Sequence, residues 1–285
     1  MPGRSYDIDE LRGPANPKIV RWPEFEAMFG RAHKQGEHVA LVGRNGTGKT
    51  QVGLGLCEII GARRGKDGRP SRVTVLSTKP RDDTVTRLIQ KGKPTGEWQI
   101  IKQWPPSYGE EHCVVWPRGG PPSGAAKRHR AVFVPLIDTI YAEGGQTLYI
   151  PEAAYFERPL PNGLGMSGTM EQCWSTARSL HLTVISDTQR PRQVTRLMWS
   201  EPSWLFIFHV NDDDDLKRVA EMSGRKQDVW KIAPKLGSHE FLCIRSQQGS
   251  RDPDANQIYV SRYDVVKSTG VTRNNRDKWK DEGEK

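Results

Sequence analysis

The chain has 285 residues, 35% of them hydrophobic, which is enough to bury the core of one large domain. Its 43 Lys and Arg against 34 Asp and Glu leave a formal charge of +9, and the whole surplus falls in residues 61–130, where 15 basic side chains face 6 acidic ones. That excludes a uniformly basic coat and leaves two readings, a localised surface for an anionic polymer or a solvated face with no partner. No apolar run approaches the roughly 18 residues of a membrane helix, and the N-terminal MPGRSYDIDELRG lacks the apolar core of a signal peptide. Cys57, Cys113, Cys173 and Cys243 lie far apart with no CxxC pair. Reduced thiols in the cytoplasm are therefore expected, without a membrane partner.

In chain order, His38 to Val42 reads as a strand ending at the run Gly43-Arg44-Asn45-Gly46-Thr47-Gly48-Lys49-Thr50, and Gln51 to Gly61 as the helix that follows. The run fits GxxxxGK[ST] in full. Its glycines let backbone N–H groups curl around phosphate oxygens, and the helix N-terminus adds partial positive charge. Lys49 is placed to reach the outer phosphates of a nucleotide, and the Thr50 hydroxyl to bind Mg²⁺. Gly43 to Gln51 are thus the candidate ATP-binding residues. A second strand is expected at Arg72–Ser77, and a β-α-β start of this kind predicts a parallel sheet with helices on both faces. Prolines and glycines break up 81–130, which reads mostly as loops around one strand at His112–Trp116.

A helix is expected from about Pro135 to Glu143, ended by Gly144-Gly145. Thr147–Ile150 is an apolar strand followed by Pro151-Glu152. Many phosphate-loop ATPases end a strand here in Asp-Glu, with the Asp on Mg²⁺ and the Glu on the attacking water. Glu152 holds the Glu position and Pro151 replaces the Asp; the plainer reading is an acid at a helix start. Asp138 is a rival acid, weakened by its helix-like spacing with Tyr141. A helix at about Thr169–Leu180 then leads into a strand, Leu182–Ser186, that ends in Asp187-Thr188-Gln189-Arg190-Pro191. A Gln at such a strand tip can touch a γ-phosphate or its water, or be a plain turn residue. Another strand, Trp204–Phe208, precedes the acidic run Asn211–Asp215, read as a helix start. Strands at Glu240–Ile244 and Gln257–Val260 complete the set.

The order GRNGTGKT (43–50), TLYIPEAAY (147–155), ARSLHLTVISDTQRP (177–191) and WLFIFHVNDDDDLKRV (204–219) resembles the FtsK–HerA superfamily of ring-forming, DNA-pumping ATPases. The likeness runs over about 40–265, with close matches in those four segments. It implies a RecA-like P-loop NTPase core, α/β, with a mostly parallel sheet, helices on both faces and a C-terminal β-hairpin. It assigns Lys49 and Thr50 to phosphate and Mg²⁺, Glu152 to catalysis and Gln189 to sensing the γ-phosphate. Arg178 matches an arginine that relatives offer to a neighbouring subunit's nucleotide; Arg190 and Arg44 are competitors. Without an Asp at 151, Mg²⁺ would depend on Thr50, phosphates and waters, with Glu152 serving the metal or the water.

The expected organisation is an N-terminal extension (1–35), a P-loop ATPase domain (36–265) with a basic, loop-rich region at 61–130, and a charged, flexible tail (266–285). The expected function is an ATP-driven translocase of double-stranded DNA, of the viral genome-packaging kind. It would work as a homo-oligomeric ring, pentamer or hexamer, with a capsid or portal as docking partner. The alternative is a nucleotide-dependent switch or scaffold that binds ATP without pumping. Candidate DNA contacts, to phosphate rather than base edges, are Arg63, Arg64, Lys66, Arg69, Lys127, Arg128 and Arg130. Trp98, Trp104 and Trp116, interleaved with them, read better as packing anchors than as base-stacking platforms.

Overall fold

A computed structural model describes residues 17–64, 70–91, 98–103, 112–246 and 257–263. The short apolar runs VALV (β2, Val39–Val42), VTVL (β3, Val73–Leu76), TLYI (β6, Thr147–Ile150) and WLFI (β8, Trp204–Ile207) are buried at every position. Burial at successive residues means burial on both faces, as in a parallel sheet covered by helices on each side. With β1 (Lys18–Ile19), β4 (Gln99–Ile101), β5 (His112–Val115), β7 (Thr183–Thr188), β9 (Glu240–Arg245) and β10 (Ile258–Arg262), these strands form a ten-stranded sheet among the described residues. Its order is β1-β10-β9-β8-β2-β7-β6-β3-β5-β4. The strands from β8 to β4 in that order are parallel, while β9 and β10 form the antiparallel hairpin expected at the C-terminal end.

One face carries α1 (Trp22–Ala32) and α2 (Lys49–Gly61), and the other carries α4 (Ala125–Glu143), α6 (Ser167–Thr176), the short α7 (Leu197–Ser200) and α8 (Asp213–Ser223). Alternation along β2 shows the two cores directly. Val39 and Leu41 pack with Phe25, Val52 and Leu56, whereas Ala40 and Val42 pack with Ile137, Leu148 and Trp174. Residues 18–32, set apart from the sequence as part of an extension, supply β1 and α1. Trp22, Phe25 and Phe29 of α1 are buried, and Phe25 meets Phe241 edge-to-face at 5.1 Å between ring centroids.

The segment 81–130 differs from the expectation of loops. It contains α3 (Asp83–Lys91), whose Val85 and Leu88 are buried, together with β4 and the first turns of α4. Helix α4 begins ten residues before the expected Pro135 and runs through that proline. Ala126, Phe133, Leu136, Ile137 and Ile140 form a stripe on the sheet, and the burial of that stripe outweighs the amide that proline lacks. Asp138 is exposed on this helix. The acidic run does open a helix: Asp212 caps α8 by accepting from the Asp215 N–H at 2.9 Å. The four cysteines are buried and form no disulfide with one another. Among the described residues, no helix is long and apolar enough to cross a membrane.

Two histidines below β2 are held neutral by their surroundings. His33 Nε2 donates to the Glu37 carbonyl at 3.0 Å while Nδ1 accepts from the Arg63 guanidinium at 3.0 Å. His38 Nδ1 accepts from the Val184 N–H at 3.1 Å. Burial, then neighbouring cations, lower them from 6.5 to about 3 and about 4 respectively. The unfolded chain therefore takes up protons at these sites below pH 6.5 that the folded chain refuses, and stability falls as pH drops towards 4. Glu157 works in the opposite direction, since burial raises it to about 7 and its folded form binds a proton first. A comparison of variants isolates the histidine effect. His38→Asn keeps an acceptor for Val184, so its loss of stability between pH 7 and pH 5, read by urea unfolding, should be about 2 kcal/mol smaller than that of the parent.

Candidate nucleotide site

The loop between β2 and α2 closes because its glycines take backbone angles that L side chains avoid. Gly48, at the N-terminus of α2, has φ 101°, and a Cβ there would lie 2.7 Å from the His239 ring. Gly43, at φ 156°, brings the end of β2 against Phe208, where a Cβ would meet the Phe208 Cβ at 2.6 Å. The Arg44 carbonyl accepts from the Thr47 hydroxyl and from the Lys49 ammonium, both at 2.8 Å. Lys49 is only 5% exposed, and burial lowers its pKa while Asp187 and Glu152 pull it back up.

The strands from β8 to β4 run parallel, so their C-terminal ends lie on the side of the sheet where this loop follows β2. The ends of β3, β6 and β7, with the loop itself, surround an open cleft of about 260 Å³. This position, outside the carboxyl ends of parallel strands, is where open α/β sheets bind ligands. From the loop, Asn45, Gly46, Gly48, Lys49, Thr50 and Gln51 line it. Gly43, Arg44 and Thr47 shape the turn. The Arg44 side chain points away from the cleft, donating to Asn211 Oδ1 at 3.0 Å.

Glu152 and Gln189, proposed from sequence on two separate strands, both line the cleft. Glu152 stands just before α5 (Ala153–Glu157) with φ 52°. Its carboxylate accepts from the Thr188 hydroxyl at 3.5 Å and from the Gln189 backbone N–H. Burial, and then Asp187 nearby, raise its pKa, against the opposing pull of Lys49. Its Oε2 is buried without a hydrogen-bond partner among the described residues. An orphaned carboxylate oxygen facing a lysine suits a further cation or a water. Thr50, Glu152 and Asp187 make an all-oxygen donor set, as a hard divalent cation such as Mg²⁺ prefers. Among the described residues, no three His, Cys, Asp or Glu side chains group as a metal site, so phosphates and water would complete the coordination.

Asp187 and His239 are cleft residues that the sequence did not single out. Asp187 is 3% exposed; it accepts from the Tyr149 hydroxyl through Oδ2 and from the Glu152 N–H through Oδ1 at 3.3 Å. His239 arrives at the head of β9, its N–H bonded to the Thr47 carbonyl at 3.0 Å. Its signal would have been the hairpin itself, which returns the chain to the loop. Lys79 and Asp82, ion-paired at 3.3 Å, form the far wall.

The arginines distribute differently. Arg178 lies in the 3₁₀ turn Ala177–Leu180, which precedes β7, and is exposed beside Gly36 and His38. That is the opposite end of the strands from the cleft, about 20 Å away along a six-residue strand. Arg190 is exposed, and it and Arg192 act electrostatically on Asp215. Arg63 is drawn inward, its guanidinium on His33 and on the Gly30 carbonyl at 3.1 Å. Arg130 donates to the Leu164 and Gly165 carbonyls, and Arg128 to the Pro121 carbonyl at 2.7 Å. Arg64 and Lys127 are exposed, the first below the sheet after α2 and the second above it at the start of α4. Lys66, Arg69, Trp104 and the tail 266–285 lie outside the described residues. Trp98 is 5% exposed, and the Trp116 indole N–H donates to the Lys79 carbonyl at 2.8 Å, so both are held as packing residues.

No protein-family model and no curated protein matches the chain. Solved structures do. The genome-packaging NTPase B204 of Sulfolobus turreted icosahedral virus 2, in complex with sulfate, superposes with a TM-score of 0.53 at 12% identity, covering 82% of this chain and 99% of that one. Its complex with AMPPCP gives 0.50 at 13% identity, over 80% of this chain and 98% of that one. The cytoplasmic domain of the type VII secretion ATPase EccC of Thermomonospora curvata gives 0.46 at 12% identity, covering 78% of this chain and 27% of that one. The chain thus has the P-loop NTPase fold of B204 over nearly the whole length of that protein.

Proposed function

We propose that this chain is an FtsK–HerA-type ATPase that couples ATP hydrolysis to movement of double-stranded DNA, in the manner of a genome-packaging motor. The observation that carries the proposal is the meeting of Glu152 and Gln189, from the ends of β6 and β7, over one cleft with Lys49 and Thr50. A phosphate loop alone would support binding. A carboxylate and an amide across from it add the groups that orient and deprotonate an attacking water. The fold shared with B204, a genome-packaging NTPase by its name, supports the packaging assignment by analogy.

In this reading the loop amides and Lys49 hold the phosphates, Glu152 takes the proton of the attacking water, and Gln189 holds that water or the γ-phosphate. Thr50 would hold Mg²⁺, whose charge would offset that of the outer phosphates. Arg178 is too far to serve the cleft of its own chain. It serves the nucleotide of a neighbour in a ring, so hydrolysis depends on assembly. The exposed Arg64 and Lys127, at opposite ends of the strands, meet DNA phosphates from surfaces that an oligomer brings round one duplex. Pro151 favours a second reading, a nucleotide-dependent switch that binds ATP without pumping.

Electron microscopy with an ATP analogue and double-stranded DNA separates the two. The pump predicts closed rings with density through the centre. Monomers under all conditions contradict it.

A further inference from the structure

The sheet register shows how the chain manages without an acid at position 151. Tyr149 pairs with Ile185 and Ile150 with Ser186, so Pro151 stands beside Asp187 on the neighbouring strand. Tyr149 and Ile185 face the core under α2 while Ile150 faces the other core. Two residues further along each strand, positions 151 and 187 both return to the α2 face, where the phosphate loop lies. Asp187 therefore presents a carboxylate to the cleft from one strand, about 4.8 Å, closer to β2 than an acid at 151 would.

Its setting is more than that of a buried acceptor. The Tyr149 hydroxyl that donates to Asp187 also interacts with the Thr50 side chain, so one phenol lies between the two groups. Tyr149 is fully buried, with its ring against Gly53 of α2, and cannot swing away. The Glu152 N–H steadies the other carboxylate oxygen. Apart from the Lys79–Asp82 pair on the far wall, the cleft thus holds Asp187 and Glu152 against the ammonium of Lys49, and the excess negative charge is suited to a divalent cation.

Resting on the reading of this cleft as an ATP site, we infer that Asp187 supplies the carboxylate that Pro151 does not. It orients the water shell of a Mg²⁺ held by Thr50 and the nucleotide phosphates, with Tyr149 fixing its direction. Glu152 is then left to act on the attacking water. Asp187 is a positioning residue in this scheme, acting through metal-bound water.

The test is the Mg²⁺ dependence of binding for a fluorescent ATP analogue, in EDTA and across a Mg²⁺ titration, with Mn²⁺ binding followed by electron paramagnetic resonance. Asp187→Asn keeps the shape and removes the charge. It should bind the analogue in EDTA as the parent does, while the Mg²⁺ midpoint and the Mn²⁺ affinity weaken by about 10–100-fold. Adding Pro151→Asp to that variant should restore the midpoint. Tyr149→Phe, which keeps the buried volume and the charge, should weaken it by a smaller factor. An unchanged midpoint in Asp187→Asn overturns the inference, as does an equal loss in EDTA and in Mg²⁺, or a Pro151→Asp that fails to rescue. If the parent itself binds no ATP analogue in either condition, the nucleotide-site reading fails as well.

Discussion

Lys49→Ala should lose ATP binding by about 100-fold or more, with turnover falling below detection. The side chain is 5% exposed, and its ammonium is held at the loop by the Arg44 carbonyl. It is the cation of the cleft that both carboxylates act upon. Truncation removes charge from where, on this reading, the outer phosphates would sit, and it also leaves Asp187 and Glu152 without their compensating partner. The Glu152 carboxyl, raised by burial and held back partly by Lys49, would rise further. Isothermal titration with ATP and Mg²⁺ reads the effect, and binding within a few-fold of the parent would mean the cleft is not a phosphate site.

Glu152→Gln should do the reverse, keeping ATP binding within a few-fold while hydrolysis falls by about 10²–10⁴-fold. The amide matches the carboxylate in size and can still accept from Thr188 and the Gln189 N–H. It cannot take a proton from water. The two variants together divide the site into a half that binds and a half that cleaves. Single-turnover hydrolysis, with binding measured alongside, checks the division. Unchanged turnover would remove Glu152 from the chemistry.

Much of this site was legible in the sequence because its parts are local. The phosphate loop is a contiguous run, and the strands around it are short apolar runs whose ends the structure moves by only one or two residues. Glu152 and Gln189 stand at strand tips, and a parallel sheet places such tips together whatever the loops do. Asp187 is not legible in the sequence because it is the penultimate residue of a fully buried strand, and its importance depends on a register with Pro151 that one strand cannot reveal. His239 depends likewise on where a hairpin ends. In 81–130 the prolines and glycines outweighed weak local signals. Helix α4 passes through Pro135 because its apolar stripe is satisfied by the sheet, which is tertiary packing rather than propensity. Of the candidate DNA contacts among the described residues, Arg63, Arg128 and Arg130 donate to backbone carbonyls, while Arg64 and Lys127 are exposed at opposite ends of the strands.

On the proposed reading, this cleft hydrolyses ATP in the service of moving DNA. Steady-state phosphate release by the full chain, measured with and without double-stranded DNA and with Glu152→Gln as the control, is the test. The prediction is turnover that rises on adding DNA and disappears in Glu152→Gln. Turnover indifferent to DNA, or no higher than that of Glu152→Gln, would contradict it.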